Sequence, residues 1–154
     1  MNAYLDANAL VRHYLDVEKR QQLMASLMNP ASPGDWPVPV TEMLRFEVTN
    51  AIERMVFETR NGGTARITPE LALIAQGDFE LDLNAKILLR RVPLTLTDIE
   101  REFDSLARRY TGRHGFRTYD LIHVASAVKL RCQRFISFDT KANALAKLVG
   151  LKTL

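Results

Sequence analysis

The chain of 154 residues is poor in the groups that usually betray a chemistry. It has one cysteine, Cys132, so it can form no intramolecular disulfide and no cysteine-based zinc site. That usage suits a reducing compartment. Its three histidines, His13, His114 and His123, are scattered without metal-ligand spacing. There is no P-loop and no GxGxxG, and no serine or cysteine has partners for a nucleophilic triad. Gly62-Gly63 is followed by no Lys-Thr and reads as a helix terminator. No apolar run approaches the ~20 residues of a membrane span. The start shows neither a basic n-region nor a signal-like apolar stretch. A soluble, cytoplasmic protein without a membrane partner is expected.

What is present looks globular. Apolar residues make up 47% and charged residues 25%, enough for one packed core and average for a folded domain. One domain spanning residues 1–154 is expected, with no repeat, low-complexity tract or linker. The net charge of +3 decides little, but its distribution is uneven. Between Ser105 and Arg134 seven Lys/Arg face one acid, Asp120, whereas Ile67 to Ala85 holds four acids and no Lys/Arg. The basic stretch either steers a polyanion by its summed field or is an ordinary solvated helix face.

Along the chain, strand patterns alternate with helix patterns. Strands are predicted at 2–6, 38–40, 86–92, 134–138 and 151–153. Helices are predicted at 8–15, 18–28, 41–59, 69–77, 97–110, 118–131 and 140–148. Residues 29–37 carry three prolines and a glycine and read as a loop. Thr41 reads as an N-cap, Pro69 as a first-turn proline, and Thr97 with Glu100 as a capping box. Strands separated by helices predict an α/β fold, a three-layer α/β/α sandwich with a mostly parallel central sheet.

Four of the eighteen acids stand apart. Asp6 follows the strand Ala3-Tyr4-Leu5, and Asp139 follows Phe135-Ile136-Ser137-Phe138. Each precedes a helix and, taken singly, is explained as an N-cap. In the helix from Thr41, Leu44, Val48, Ala51, Ile52 and Met55 form a core stripe. At about 100° per residue, Glu47 lies roughly 60° from Leu44, at the border of that stripe, while Glu42 and Glu53 point away. An inward carboxylate needs a partner. That partner is a metal, a proton or a buried arginine, for which Arg12, Arg45 and Arg117 are candidates. Asp120 shares a row with Val124, Ala127 and Arg131 near the start of its helix, where an acid also suits the helix dipole.

In a parallel sheet, strand C-termini and the following helix N-termini share one edge, so all four acids can converge there. Converging carboxylates raise one another's pKa values unless a cation neutralises them, and Mg²⁺ or Mn²⁺ is the natural hard counter-ion. A phosphoacceptor receiver domain also uses strand-end aspartates. It requires an adjacent acidic pair after the first strand, which Asp6 lacks, and a differently placed lysine from Lys141.

These residues carry a resemblance. Tyr4-Leu5-Asp6-Ala7-Asn8-Ala9-Leu10, Glu47 with Asn50 and Arg54, the stretch Arg117-Thr118-Tyr119-Asp120-Leu121-Ile122-His123-Val124-Ala125-Ser126-Ala127, and Phe135-Ile136-Ser137-Phe138-Asp139 occur in order over nearly the whole chain. Together they resemble the PIN-domain ribonucleases, and among them the VapC toxins of bacterial toxin–antitoxin pairs. The stretch from Arg117 to Ala127 is the most specific match, and 61–91 matches no motif.

The resemblance implies a Mg²⁺- or Mn²⁺-dependent endoribonuclease with Asp6, Glu47, Asp120 and Asp139 as catalytic metal ligands. It implies hydrolysis by metal-activated water, leaving 5′-phosphate and 3′-hydroxyl ends. Asn8 and Ser137 match supporting positions. Arg113, His114 and Arg117 are either RNA contacts, ordinary surface charge or ion-pair partners of the four acids, and His123 reads as a packing histidine. An RNA substrate, an antitoxin protein and a homodimer are the implied partners. The competing expectation is a catalytically inactive PIN-fold module that binds RNA or protein.

Overall fold

The structure, a computed structural model, describes residues 2–17, 20–28 and 37–154. All but the last residue of the predicted loop at 29–37 and the first residues of the predicted helix at 18–28 lie outside them. Four short strands are formed: β1 (Ala3–Leu5), β2 (Val38–Thr41), β3 (Leu89–Val92) and β4 (Arg134–Ile136). β1 pairs in parallel with β4, with Leu5 opposite Ile136. β2 pairs in parallel with β3, with Thr41 opposite Val92. β1 lies beside β2, and a parallel bridge from Arg134 to Lys152 extends the β4 side. The strand expected at 151–153 is reduced to that bridge.

Every residue of β1 and β2 is buried, which requires cover on both faces and explains their apolar character. β3 is different. Its Arg90 and Arg91 are exposed, as suits the end of a sheet.

Two groups of helices provide the cover. α1 (Ala7–Tyr14), α2 (Gln21–Leu27), α3 (Glu42–Arg60) and α4 (Pro69–Ala85) pack on one another, while α7 (Thr118–Lys129) packs against α5 (Leu96–Leu106) and α8 (Thr140–Leu148). A π turn (Ala107–Thr111) and the short α6 (Gly112–His114) connect α5 to the loop before α7. The α/β/α arrangement predicted by alternating patterns is therefore present.

Local signals set most boundaries. Thr41 Oγ1 accepts from Leu44 N at 3.2 Å and starts α3. Asn61 ends it, and Gly62 follows at φ 81°, a conformation that glycine adopts without strain. Pro69 occupies the first turn of α4. Two expectations are corrected. The capping box of α5 is Thr95 with Asp98, two residues before Thr97 and Glu100, because Thr95 Oγ1 accepts from Asp98 N at 3.2 Å while Asp98 Oδ2 accepts from Thr95 N at 2.8 Å. The helix expected at 69–77 continues through Gly77 to Ala85.

α4 also explains the acidic segment. Glu80 accepts from Arg45 of α3 at 2.9 Å and from Arg91 of β3 at 2.6 Å. Asp82 accepts from the Tyr14 hydroxyl of α1 at 2.7 Å. Its acids thus tie α4 to three neighbouring elements.

Candidate active site

Parallel pairing decides what meets at the sheet edge. Leu5 stands opposite Ile136, so the next residues, Asp6 and Ser137, also face each other. Asp6 N continues the ladder to Ile136 O at 3.2 Å. The Ser137 hydroxyl donates to Asp6 Oδ2 at 2.5 Å and accepts from Asn8 Nδ2 at 3.2 Å and from Asp139 N at 2.9 Å. Asn8 Oδ1 accepts from Phe138 N at 2.9 Å. Asn8 and Ser137 therefore join the ends of β1 and β4 and hold Asp6 and Asp139 in one network.

Both aspartates are also the helix caps that local reasoning anticipates. Asp6 Oδ1 accepts from Ala9 N at 3.0 Å, and Asp139 Oδ1 accepts from Ala142 N at 2.8 Å. The two roles are compatible, since each carboxylate has about four acceptor sites. Asp120 accepts from Arg117 N at 3.0 Å in the first turn of α7. Glu47 lies in the second turn of α3, and of its three candidate arginines Arg12 borders the same cleft and donates to Asn8 O at 2.9 Å. The arginine expected as one of its partners, Arg45, is engaged by Glu80. Glu47 Oε2 is hydrogen-bonded to His123 Nε2.

His123 is buried on α7, and its Nδ1 shares a 3.0 Å hydrogen bond with the hydroxyl of Tyr4, which is fully buried on β1. An ionised carboxylate can only accept, so beside an ionised Glu47 the Nε2 atom carries the proton and a neutral ring accepts from Tyr4 at Nδ1. The histidine is a packing residue by burial, but it also ties Glu47 to the central sheet. Helical phase could have placed it one turn after Asp120; nothing local announced its partners.

The electrostatics link the acids in two pairs. Burial pushes the Asp6 carboxyl up to about 6, helped by the Glu47 charge and opposed by the Ser137 hydrogen bond and by His123. Burial also raises Asp120, with the Asp139 charge adding to the rise and Arg117 and His123 opposing it. Asp6 is buried, while Glu47, Asp120 and Asp139 are half-buried and open toward solvent. Arg113 and Arg117, which precede Asp120 in the chain, are exposed. Asn8, Arg12, Glu47 and Arg66 border a cleft of about 710 Å³.

Hard oxygen donors suit a divalent cation, and burial of Asp6 and Asp120 raises the cost of leaving their charge uncompensated. Among the described residues, however, no three acids or imidazoles form a ready-made metal cage. The donor chemistry fits; closure of the side chains around an ion is a further step.

The family model described as PIN domain matches residues 3–148. The chain belongs to the PIN domain family. The match spans all four acids and both joining residues, Asn8 and Ser137, of this PIN domain. Among solved structures it is similar to VapC20 of Mycobacterium tuberculosis, described as a Sarcin-Ricin loop cleaving toxin. The likeness has a TM-score of 0.63 and 15% identity and covers 93% of this chain and 94% of that one. At that identity the likeness concerns the fold. Comparison with curated proteins gives no match. Among the described residues, no helix of this PIN domain is long and apolar enough to cross a membrane.

Proposed function

We propose that this PIN domain is a divalent-metal-dependent endoribonuclease and the toxin of a toxin–antitoxin pair. The observation that carries the reading is the Asp6–Ser137–Asp139 network at the sheet edge, with Glu47 and Asp120 electrostatically linked to its members. The fold shared with a toxin described as cleaving the Sarcin-Ricin loop supports the same assignment.

Asp6, Glu47, Asp120 and Asp139 would hold Mg²⁺ or Mn²⁺. Such an ion lowers the pKa of water into the neutral range and offsets charge on a phosphoryl group. The protein's own contribution is orientation. Ser137 and Asn8 fix Asp6 and the backbone leading to Asp139. His123 anchors Glu47. Arg113 and Arg117, which precede Asp120 in the chain, offer positive charge to RNA phosphates. With water as the nucleophile, no ribose 2′-hydroxyl would be required, and 5′-phosphate with 3′-hydroxyl ends are expected. A cognate antitoxin and a homodimeric state belong to the same proposal, as does a cytoplasmic location.

The test is cleavage of cellular RNA in Mg²⁺ by the wild type, Asp6→Asn and Asp120→Asn. Each substitution is expected to lower the rate by more than the about 10–100-fold typical of losing a residue that only supports a metal ligand. Each should also relieve growth arrest on expression. Activity unchanged in either variant would refute the assignment. Wild-type protein that binds RNA yet leaves it intact across a range of Mg²⁺ and Mn²⁺ would instead indicate a binding module.

A further inference from the structure

Two aromatic side chains lie beside the site without serving the acids. Phe46 immediately precedes Glu47 on α3, and Tyr119 immediately precedes Asp120 on α7. Both are 54% exposed. Although they come from different helices, they line one hollow of about 390 Å³, together with Met43, Glu47, Asn50 and Arg54. That volume falls in the ~300–1,000 Å³ range of small-ligand sites. Glu47 also borders the larger cleft beside Asn8, so the hollow adjoins that cleft.

Single exposed apolar residues are ordinary. Two aromatics converging on one hollow, each next in sequence to an acid of the site, are a more specific arrangement. Aromatic faces accept any nucleobase, because every base has a π-face. Asn50 adds amide donors and an acceptor suited to base edges. Arg54 is exposed and paired with Glu58 at 3.5 Å, a solvent-screened surface pair that a phosphate can displace. Bases stacked inside an RNA duplex could not reach these rings, whereas unstacked bases of a single strand or loop could.

We propose that Phe46 and Tyr119 form a base-stacking subsite for a nucleotide flanking the scissile phosphate of single-stranded RNA. The subsite rests on the ribonuclease reading and extends it to the form of substrate. The occupant is a nucleobase; a protein segment or a second copy of the chain in the same hollow is the contrary outcome.

The experiment measures binding of a fluorescein-labelled single-stranded RNA of about ten nucleotides and mixed sequence, and of an abasic oligomer of equal length. Both are titrated in Mg²⁺ against full-length Asp6→Asn protein. Adding Phe46→Ala or Tyr119→Ala is expected to weaken binding of the base-bearing RNA by about 5- to 150-fold and to leave the abasic oligomer unaffected. Tyr119→Phe and Phe46→Trp should retain affinity. Equal losses on both oligomers, or no loss, would overturn the subsite. So would loss of self-association or of antitoxin binding with RNA affinity unchanged, which would assign the hollow to a protein. If the wild type neither binds nor cleaves RNA, the ribonuclease reading fails and the subsite with it. If it cleaves RNA and the aromatics are indifferent, only the subsite fails.

Discussion

Tyr4 shows how much of the site depends on single atoms. Its ring stacks on Phe135 of the paired strand with centroids 5.9 Å apart, which leaves a phenol fully buried on β1. Its hydroxyl is then obliged to find a partner, and His123 Nδ1 supplies one at 3.0 Å. Tyr4→Phe keeps the ring and removes the hydroxyl, leaving a buried imidazole nitrogen without its partner. Such a loss costs about 1–3 kcal/mol. The urea midpoint of Tyr4→Phe is expected to fall accordingly with an unchanged m-value; an unaltered midpoint would show that the hydrogen bond contributes nothing. At this scale the sequence was informative about which acids turn inward. Asp6 and Asp139 follow strands, and Glu47 and Asp120 lie at the apolar borders of their helices. It was silent about His123 as the partner of Glu47, because helical phase reports the side a residue faces and not what it meets there.

α4 is the element on which local signals and packing disagree most. A glycine at position 77 followed by acids argues for a helix end, since glycine costs about 1 kcal/mol in a helix interior. The helix nevertheless continues, because Ala72, Ala75, Phe79 and Leu83 form one buried stripe on both sides of the glycine. The ties of Glu80 and Asp82 to α3, β3 and α1 secure the distal half. Gly77 itself has open space where a Cβ would stand. Gly77→Ala is therefore expected to stabilise the protein by about 0.5–1 kcal/mol, seen as a higher melting midpoint. A destabilised variant would mean that the glycine is required for a contact absent from this fold. The same tension accounts for the capping box found two residues early. Thr95/Asp98 and Thr97/Glu100 both satisfy the motif, and the choice between them depends on where α5 must begin to pack on α7.

For the molecule as a whole, the buried Asp6 sets stability against charge. In the metal-free protein Asp6 is raised from the ordinary aspartate value to about 6, chiefly by burial. The folded state then holds this proton more tightly than the unfolded chain. Its contribution is full below about pH 4 and is lost as pH rises through about 6. Two units correspond to at most about 3 kcal/mol. In EDTA the wild type should therefore lose stability relative to Asp6→Asn between pH 4 and pH 7, and Mg²⁺ should restore it in the wild type more than in the variant. Parallel pH curves for the two proteins would contradict this account. The alternation of strands and helices, the helix caps at Thr41, Asp6 and Asp139, and the inward phase of Glu47 and Asp120 were all determined by the sequence itself. Each follows from a local period of about 2 or 3.6 residues or from a neighbouring backbone N–H. The tertiary structure alone decided that Ser137 bonds Asp6 across 131 positions, that His123 bonds Glu47 across 76, and that Phe46 and Tyr119 share a hollow. Those meetings depend on strand register and helix packing, which bring together segments whose separation along the chain leaves no local trace.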